Sequence, residues 1–158
     1  MLIERAQLKA QQHRVTYDSP IDTLSIVKDL CNLKQLTTQS GGLRPFGVSL
    51  LIAGIDGNKP SLFETDPTGI FFQYKAAAIG EGETEVEEIL AKEYRDDITV
   101  EEALKLAVKA LSTILEDLNI DRLDCVYLLT SKKLYKRVPA DKLAKILGDV
   151  KPDSKKKK

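Results

Sequence analysis

The sequence is poor in the residues on which most metal and redox sites depend. Its 158 residues include two cysteines, one histidine and no tryptophan. Cys31 and Cys125 are too few and too far apart for a disulfide scaffold or a cysteine-rich metal motif, and this usage suits a reducing cytosol. A zinc site needs about three or four closely spaced Cys, His or carboxylate ligands, and no such cluster surrounds His13. We therefore expect neither a metal nor a disulfide framework.

Long apolar runs and an excess of one charge are missing as well. No stretch approaches the roughly 18 apolar residues that a membrane span needs, and the start from Met1 to Arg5 does not resemble a signal peptide. We therefore expect a cytoplasmic chain with no membrane partner. The 24 basic and 24 acidic residues give a net charge of zero, which argues against a domain that binds nucleic acid through its overall field.

The charge is nevertheless distributed unevenly. Residues 81–102 hold ten acidic residues against two basic ones, a net charge of −8. Residues 131–158 hold eleven basic residues against three acidic ones, a net charge of +8. Charged residues are mostly solvated, so two polar faces are the simpler reading. The alternative is that these segments orient subunits or recruit partners.

Hydrophobic periodicity and turn residues predict an α+β chain in the order ααβββααββα. The predicted helices cover residues 1–14 (with Leu2, Ile3, Ala6 and Ala10 as its apolar face), 20–37, 84–94, 99–117 and a short segment opened by Pro139. The predicted strands cover residues 46–55, 61–65, 70–79, 123–130 and 134–138. The first three strands should form an antiparallel meander, with Asp66-Pro67-Thr68-Gly69 as a type I turn between the second and third. Ser19 and Thr99 are the predicted N-caps. The sequence thus predicts one domain over residues 1–150 and a disordered basic tail over residues 151–158.

Three local motifs could indicate catalysis or cofactor binding, but the residues around each of them argue against it. Gly80-Glu81-Gly82 precedes a predicted helix, but the glutamates around it would repel a pyrophosphate, so no dinucleotide cofactor is expected. Nothing in the sequence marks a nucleophile that His13 could activate, so we interpret His13 as an exposed or helix-terminal side chain. Glu93, Asp96 and Asp97 read as a solvated link between helices.

Arg44 is the most unusual charged residue of the chain because Pro45 follows it at the mouth of a strand. Pro45 favours extended backbone before it. The guanidinium could then bind a carboxylate or main-chain carbonyls. Taken alone, these residues favour a structural anchor over a ligand contact.

The segment from Gln39 to Gly54 carries a family resemblance. It reads Gln-Ser-Gly-Gly-Leu-Arg-Pro-Phe-Gly-Val-Ser-Leu-Leu-Ile-Ala-Gly and strongly resembles the central segment of proteasome α subunits. Residues 63–69, which hold the Asp-Pro-Thr-Gly turn, and residues 74–80, 90–97, 2–6 and 17–21 also fit the family, so the match covers roughly residues 1–147. By resemblance, the ring-loop residues are Gln39, Gly41, Gly42, Arg44, Pro45, Phe46 and Gly47, and the turn residues are Asp66, Pro67 and Gly69.

The resemblance implies the four-layer α-β-β-α sandwich of N-terminal-nucleophile hydrolases. The sandwich is expected to be incomplete, because family members carry about a hundred residues, including the first strands and the gating tail, before the position matching Met1. A non-catalytic role is implied, since α subunits lack the N-terminal threonine of the hydrolytic β subunits and Met1 stands first here. Family α subunits form a seven-member ring on the β rings, gate substrate entry and dock a regulatory ATPase or other activators.

The sequence departs from the family pattern in two ways, and there are two alternatives to the α-subunit function. The family usually has aromatic residues at the positions of Thr37 and Ser40, and its activator-binding lysine precedes the position of Met1. The alternatives are a short paralogue acting as an assembly or adaptor protein, and a divergent hydrolase of the same fold. Because an incomplete sandwich leaves apolar sheet surface uncovered, we also expect the isolated chain to be a dimer or larger.

Overall fold

The computed structural model describes residues 1–115 and 118–150. The described residues form five α-helices: α1 (Leu2–Tyr17), α2 (Thr23–Gln39), α3 (Glu83–Glu93), α4 (Val100–Ile114) and α5 (Ala140–Val150). They also form five β-strands: β1 (Leu50–Asp56), β2 (Lys59–Thr65), β3 (Phe71–Tyr74), β4 (Val126–Leu128) and β5 (Tyr135–Arg137). The chain divides into two compact units, of which the first covers residues 1–79 and the second begins at Gly80.

The first helix runs one turn beyond the predicted end at residue 14. α1 is closed by Asp18, whose φ of 50° lies in the left-handed region that aspartate tolerates. Its predicted apolar face is wrong in one respect: Leu2 is buried, but Ile3 is 67% exposed. Polar contacts help to hold α1 on α2, since Arg5 Nε donates to Asp29 Oδ2 at 2.7 Å. A helix face that packs through ion pairs cannot be recognised from the spacing of apolar residues in the sequence.

The start of α2 differs from the sequence prediction. Ser19 is not the N-cap; Asp22 is, and its carboxylate accepts a hydrogen bond from the Ser25 N–H at 2.8 Å. The physical reason lies in the sheet. Both the N–H and the hydroxyl of Thr23 donate to Asp56 Oδ1, each at 2.9 Å, so the end of β1 fixes where the helix begins.

The predicted three-stranded antiparallel meander is confirmed, in the order β1-β2-β3. Its strand bounds differ from the prediction at both outer ends. β1 begins at Leu50 rather than at residue 46, because Leu50 pairs with Thr65 and the next residue, Asp66, already belongs to the turn. β3 ends at Tyr74 rather than at residue 79, where a Lys-Ala-Ala-Ala run of low β-propensity follows.

The core of the first unit lies between α2 and the inner face of this sheet. Val27 and Cys31 of α2 are buried against Phe63 of β2. Phe63 and Phe71 meet edge to face with ring centroids 6.3 Å apart, a favoured aromatic geometry. Gly54 lets the helix approach the sheet closely, since a Cβ at this position would lie 2.0 Å from Thr23 Oγ1.

The second unit begins with the pair of helices that the sequence predicts, α3 and α4, each starting within a residue of the predicted start. Gly82, with φ at 74°, precedes α3. The predicted capping box of α4 is confirmed: Thr99 N donates to Glu102 Oε2 at 2.8 Å, and Glu102 N donates back to Thr99 Oγ1 at 3.3 Å. α4 ends at Ile114, and the predicted end near residue 117 lies outside the described residues.

The rest of the second unit is a short hairpin and the last helix. β4 and β5 pair antiparallel as predicted, although each is only three residues long. A 3₁₀ turn, Ile120–Arg122, precedes β4 and was not predicted. The core joins α4 to α5 and to the end of β5, and its buried members are Leu104, Val108, Leu118, Val138, Leu143 and Ile146.

The α+β class predicted from the sequence is therefore confirmed. The four-layer sandwich and the single domain over residues 1–150 stay predictions, and the predicted basic tail over residues 151–158 lies outside the described residues. Within the described part of the chain, no helix combines the length and the apolar character needed to cross a membrane.

Candidate functional site

The predicted ring-loop residues follow directly from the end of α2. Gln39 is the last helical residue, and Gly42, with φ at 84°, completes a turn in which Leu43 N donates to Ser40 O at 3.2 Å. Arg44 to Gly47 lie outside any helix or strand. This exposed segment includes Gly41, Pro45 and Phe46, and only Phe46 is partly buried. The segment is thus a surface loop rather than the start of a buried strand.

The predicted Asp66–Gly69 turn is present and tightly bonded. Gly69 N donates to Asp66 O at 3.2 Å, which is the bond of a four-residue turn. The Asp66 carboxylate accepts from Thr68 N at 2.8 Å and from Ile70 N at 3.1 Å. The hydrogen bond from the Thr68 hydroxyl is the main reason that the pKa of Asp66 is lowered. Pro67 sits at the second position, as the sequence predicts.

Gly69 packs this turn against α2. Its φ is 91°, and a Cβ in its place would lie 2.6 Å from the backbone oxygen of Cys31 and 3.0 Å from Gln35 N. A side chain at this position would therefore meet main-chain atoms that cannot rotate away. The turn needs glycine for its conformation and for its closeness to the helix.

Lys34 of α2, which was not among the predicted site residues, joins the turn to the ring-loop segment. Its side chain is fully buried, with 0% exposure. Nζ donates to Val48 O at 2.9 Å, to Thr65 Oγ1 at 2.8 Å and to Asp66 O at 3.0 Å. One amine thus ties together the residue after Gly47, the end of β2 and the first residue of the turn.

Burial lowers the pKa of the Lys34 amine, because the desolvated ammonium is less stable than a solvated one. A signal for this residue was present in the sequence. Val27, Cys31 and Lys34 recur at helical spacing, which places a lysine on the apolar face of α2. A charged residue on such a face indicates a buried polar contact.

Arg44, the predicted anchor, does not play that part. Its side chain is exposed, and within residues 1–115 and 118–150 it has neither a hydrogen bond nor an ion pair. The anchor at the mouth of β1 is supplied by Lys34 instead. Arg44 therefore lies on the outer surface of the ring-loop segment, where its planar fork is available to a carboxylate from outside.

Two positions at which the resemblance expects aromatic residues carry hydroxyls that cap α2. Thr37 Oγ1 donates to Lys34 O at 2.7 Å, and Ser40 Oγ donates to Leu36 O at 2.8 Å. Both hydroxyls thus bond to carbonyls in the last turns of their own helix.

The other candidate residues do not form a reactive site in the described part of the chain. His13 Nδ1 lies 3.1 Å from Ser19 O, at a helix end as expected. Burial raises the pKa of the Cys31 and Cys125 thiols, which favours the unreactive protonated form. Glu93 pairs with Lys109 on α4. Within the described residues, no group of three or more His, Cys, Asp or Glu side chains could hold a metal ion.

The acidic and basic segments meet inside the second unit. Lys142 of α5, in the basic segment, donates to Glu101 of α4, in the acidic segment, at 2.8 Å. A second pair between these helices, Lys105 with Asp149 at 3.4 Å, does not join the two segments, because Lys105 lies outside both. These pairs are exposed, and exposed pairs contribute about 0–1 kcal/mol each. One pair of opposite charges, Glu101 with Lys142, therefore joins the acidic segment to the basic segment between neighbouring helices of one chain.

Comparison with known proteins gives a consistent answer. The sequence model of one family, described as proteasome subunit, matches residues 1–128. The chain belongs to the proteasome subunit family. It is 48% identical over 150 residues to the proteasome subunit alpha of Methanocaldococcus jannaschii, covering 95% of this chain and 58% of that protein. It is 45% identical over 149 residues to the proteasome subunit alpha of Thermococcus sibiricus, covering 94% and 57%.

These similarities confirm the family resemblance that the Gln39–Gly54 segment carries. The matches extend along nearly the whole chain, while the chain spans little more than half the length of the curated relatives that it matches. Proteasome family membership therefore rests on the common part alone.

Proposed function

We propose that this chain is a non-catalytic α-type subunit of the proteasome core particle, forming part of the outer ring that gates substrate entry and docks activators. Its partners would be other α-type subunits, in the family's seven-member ring, together with β-type subunits and a regulatory ATPase. The place of action would be the cytoplasm. The observation that carries this proposal is the 48% identity to an archaeal α subunit over 95% of the chain.

The geometry of the first unit supports an assembly role. The ring-loop segment is exposed but held at both ends by α2, through the turn after Gln39 and through the bond from Lys34 to Val48. Three large apolar side chains of the first unit are more than half exposed: Leu43 in the segment, Leu36 near the end of α2, and Ile70 after the Asp66–Gly69 turn. Exposed apolar side chains on a well-fixed surface are typical of contacts between subunits.

The experiment is the native mass of the purified chain by light scattering, alone and then mixed with an archaeal β-type subunit. A defined oligomer, or a complex with the β-type subunit, is the expected result. A monomer that does not bind the β-type subunit would contradict the proposal. Mixing the β-type subunit with an unrelated protein of similar size in the same buffer would control for nonspecific association.

The two alternatives make different predictions. An adaptor paralogue would bind an intact α subunit without completing a ring, and light scattering of the chain mixed with an intact α subunit would detect this as a small complex. A divergent hydrolase would cleave fluorogenic peptides and lose this activity on Cys31→Ala or Cys125→Ala. The raised pKa of both thiols argues against the hydrolase, because the thiolate is the nucleophilic form.

A further inference from the structure

Lys34 is a charged side chain on the inner face of α2, where an apolar side chain of similar size could fill the same space. It shares the inner face of α2 with Val27 and Cys31 and is fully buried. We infer that Lys34 is the positioning residue of the ring-loop segment: its amine fixes where the segment Gly41–Gly47 enters the sheet, and so sets the surface that the segment offers to a neighbouring subunit. The second part of this inference rests on the proposed function.

The amine satisfies its hydrogen-bonding capacity completely. An ammonium group has three N–H donors, and here each has one acceptor, at 2.9, 2.8 and 3.0 Å. A neutral amine has only two N–H donors and would leave one of the three oxygens without this bond. The charged form is therefore the one that holds Val48, Thr65 and Asp66 together.

Stability alone does not account for a lysine here. All three acceptors are uncharged oxygens, so no carboxylate hydrogen-bonded to the ammonium offsets its desolvation. The titratable groups that interact with Lys34 are the buried Cys31 thiol, on its own helix, and the Asp66 carboxylate, which is bonded to Thr68 and Ile70. A methionine would fill a similar volume without the cost of burying a charge. What it could not supply is three directed bonds.

The ring-loop segment depends on such bonds because it enters β1 before any strand partner is available. Leu50 is the first residue of β1 paired with β2. The chain upstream of the segment is α2 itself, and the chain downstream is bonded to the same helix at Lys34. The segment is thus a loop closed on α2, and the bond to Val48 O sets its closing point. Without that bond, Gly47 gives the chain freedom to leave the sheet in other directions.

The first test is amide hydrogen exchange of the full chain and of the Lys34→Met variant. The variant should raise the exchange rate of amides in residues 43–49 by about ten-fold or more, while Ile52 and Phe63 in the sheet change by less than about three-fold. Lys28→Met, which changes an exposed lysine of the same helix, should have no effect in either region. Equal acceleration in loop and sheet, or no acceleration in the loop, would overturn the inference.

Thr65→Val is a second variant that keeps the amine and removes one acceptor. It should raise the amide exchange rates of residues 43–49, but by a smaller factor than Lys34→Met does. It also keeps the inference testable if Lys34→Met does not fold. An effect of Thr65→Val confined to β2 and β3 would count against a shared network through Lys34.

The second readout is self-association of the same proteins by light scattering. Lys34→Met should need at least about ten-fold higher concentration than the native chain to associate, whereas Lys28→Met should not. If the native chain itself stays monomeric, the proposed function fails, while the exchange data still decide whether Lys34 positions the segment. Native-like association of a Lys34→Met chain whose segment has become mobile would refute the link between positioning and assembly.

Discussion

The close approach of the Asp66–Gly69 turn to α2 can be tested by adding a single methyl group. In Gly69→Ala the new Cβ would lie 2.6 Å from the backbone oxygen of Cys31, and the residue would have to keep a φ of 91°. Both features are unfavourable for alanine. Gly42→Ala is the matched control, because Gly42 has a φ of 84° but open space around the position of a Cβ.

The expected cost has two parts that the pair of variants separates. Left-handed backbone costs an ordinary L-residue about 1–2 kcal/mol, and this part applies to both variants. Forcing a methyl group against main chain costs about 1–3 kcal/mol more, and this part applies only to Gly69→Ala. We therefore expect a loss in unfolding free energy of about 2–5 kcal/mol for Gly69→Ala and about 1–2 kcal/mol for Gly42→Ala.

Urea unfolding followed through the NMR signals of Ile52 and Phe63, a cross-strand pair of β1 and β2, would measure these losses in the first unit. The midpoint and the slope should be fitted separately, so that a change in the slope is not mistaken for a change in stability. Equal losses for the two variants would refute the close approach of the turn to Cys31. A loss below about 0.5 kcal/mol for Gly69→Ala would also refute the left-handed conformation.

The remaining predictions concern Lys34 and the cap of α4. Burial lowers the pKa of Lys34 in the folded chain below the ordinary value of 10.5. At a pH between the lowered pKa and 10.5, the folded state therefore binds fewer protons than the unfolded state. The unfolding free energy of the native chain should therefore rise with pH, relative to Lys34→Met, as the pH approaches 10.5, and a series of urea melts up to that pH should show the rise; a difference independent of pH would contradict it. Glu102→Ala and Thr99→Ala should each cost about 0.5–2 kcal/mol in thermal or urea unfolding. Because the two residues form one capping box, the double variant should cost clearly less than the sum, and an additive result would argue against the box.

Much of the fold could be predicted because its signals are local. The Asp66-Pro67-Thr68-Gly69 turn depends on four neighbouring residues, and the structure has the turn where the sequence places it. The same holds for the capping box, which joins residues three apart. The pairing of β4 with β5 follows from an apolar run and a second short strand that lie on either side of a turn. Such features need no knowledge of the rest of the chain.

The strand ends and the helix start could not be predicted because partners distant in sequence decide them. β1 begins where β2 offers a partner, not where the apolar run begins. α2 begins where Asp56, 33 residues further along, accepts the hydrogen bond from Thr23. Uncharged, largely apolar sequence continues upstream of β1 as far as Phe46, and Ser19-Pro20 offers a cap signal upstream of α2. A pattern read along one segment therefore overestimates the strand and misplaces the cap.

The anchor of the ring-loop segment shows the same limit at the candidate site. Sequence reasoning favoured Arg44 because it lies next to the strand, whereas Lys34 makes the bonds from a helix 14 residues before Val48 and 31 residues before Thr65. Proximity in sequence favours the wrong cation, because an arginine beside an exposed loop can reach water. A lysine on an apolar helix face cannot, so it must find acceptors within the fold. The more informative question about a cation in a sequence is thus which face of its own helix it occupies, and for Lys34 the answer could be read from its spacing to Val27 and Cys31 alone.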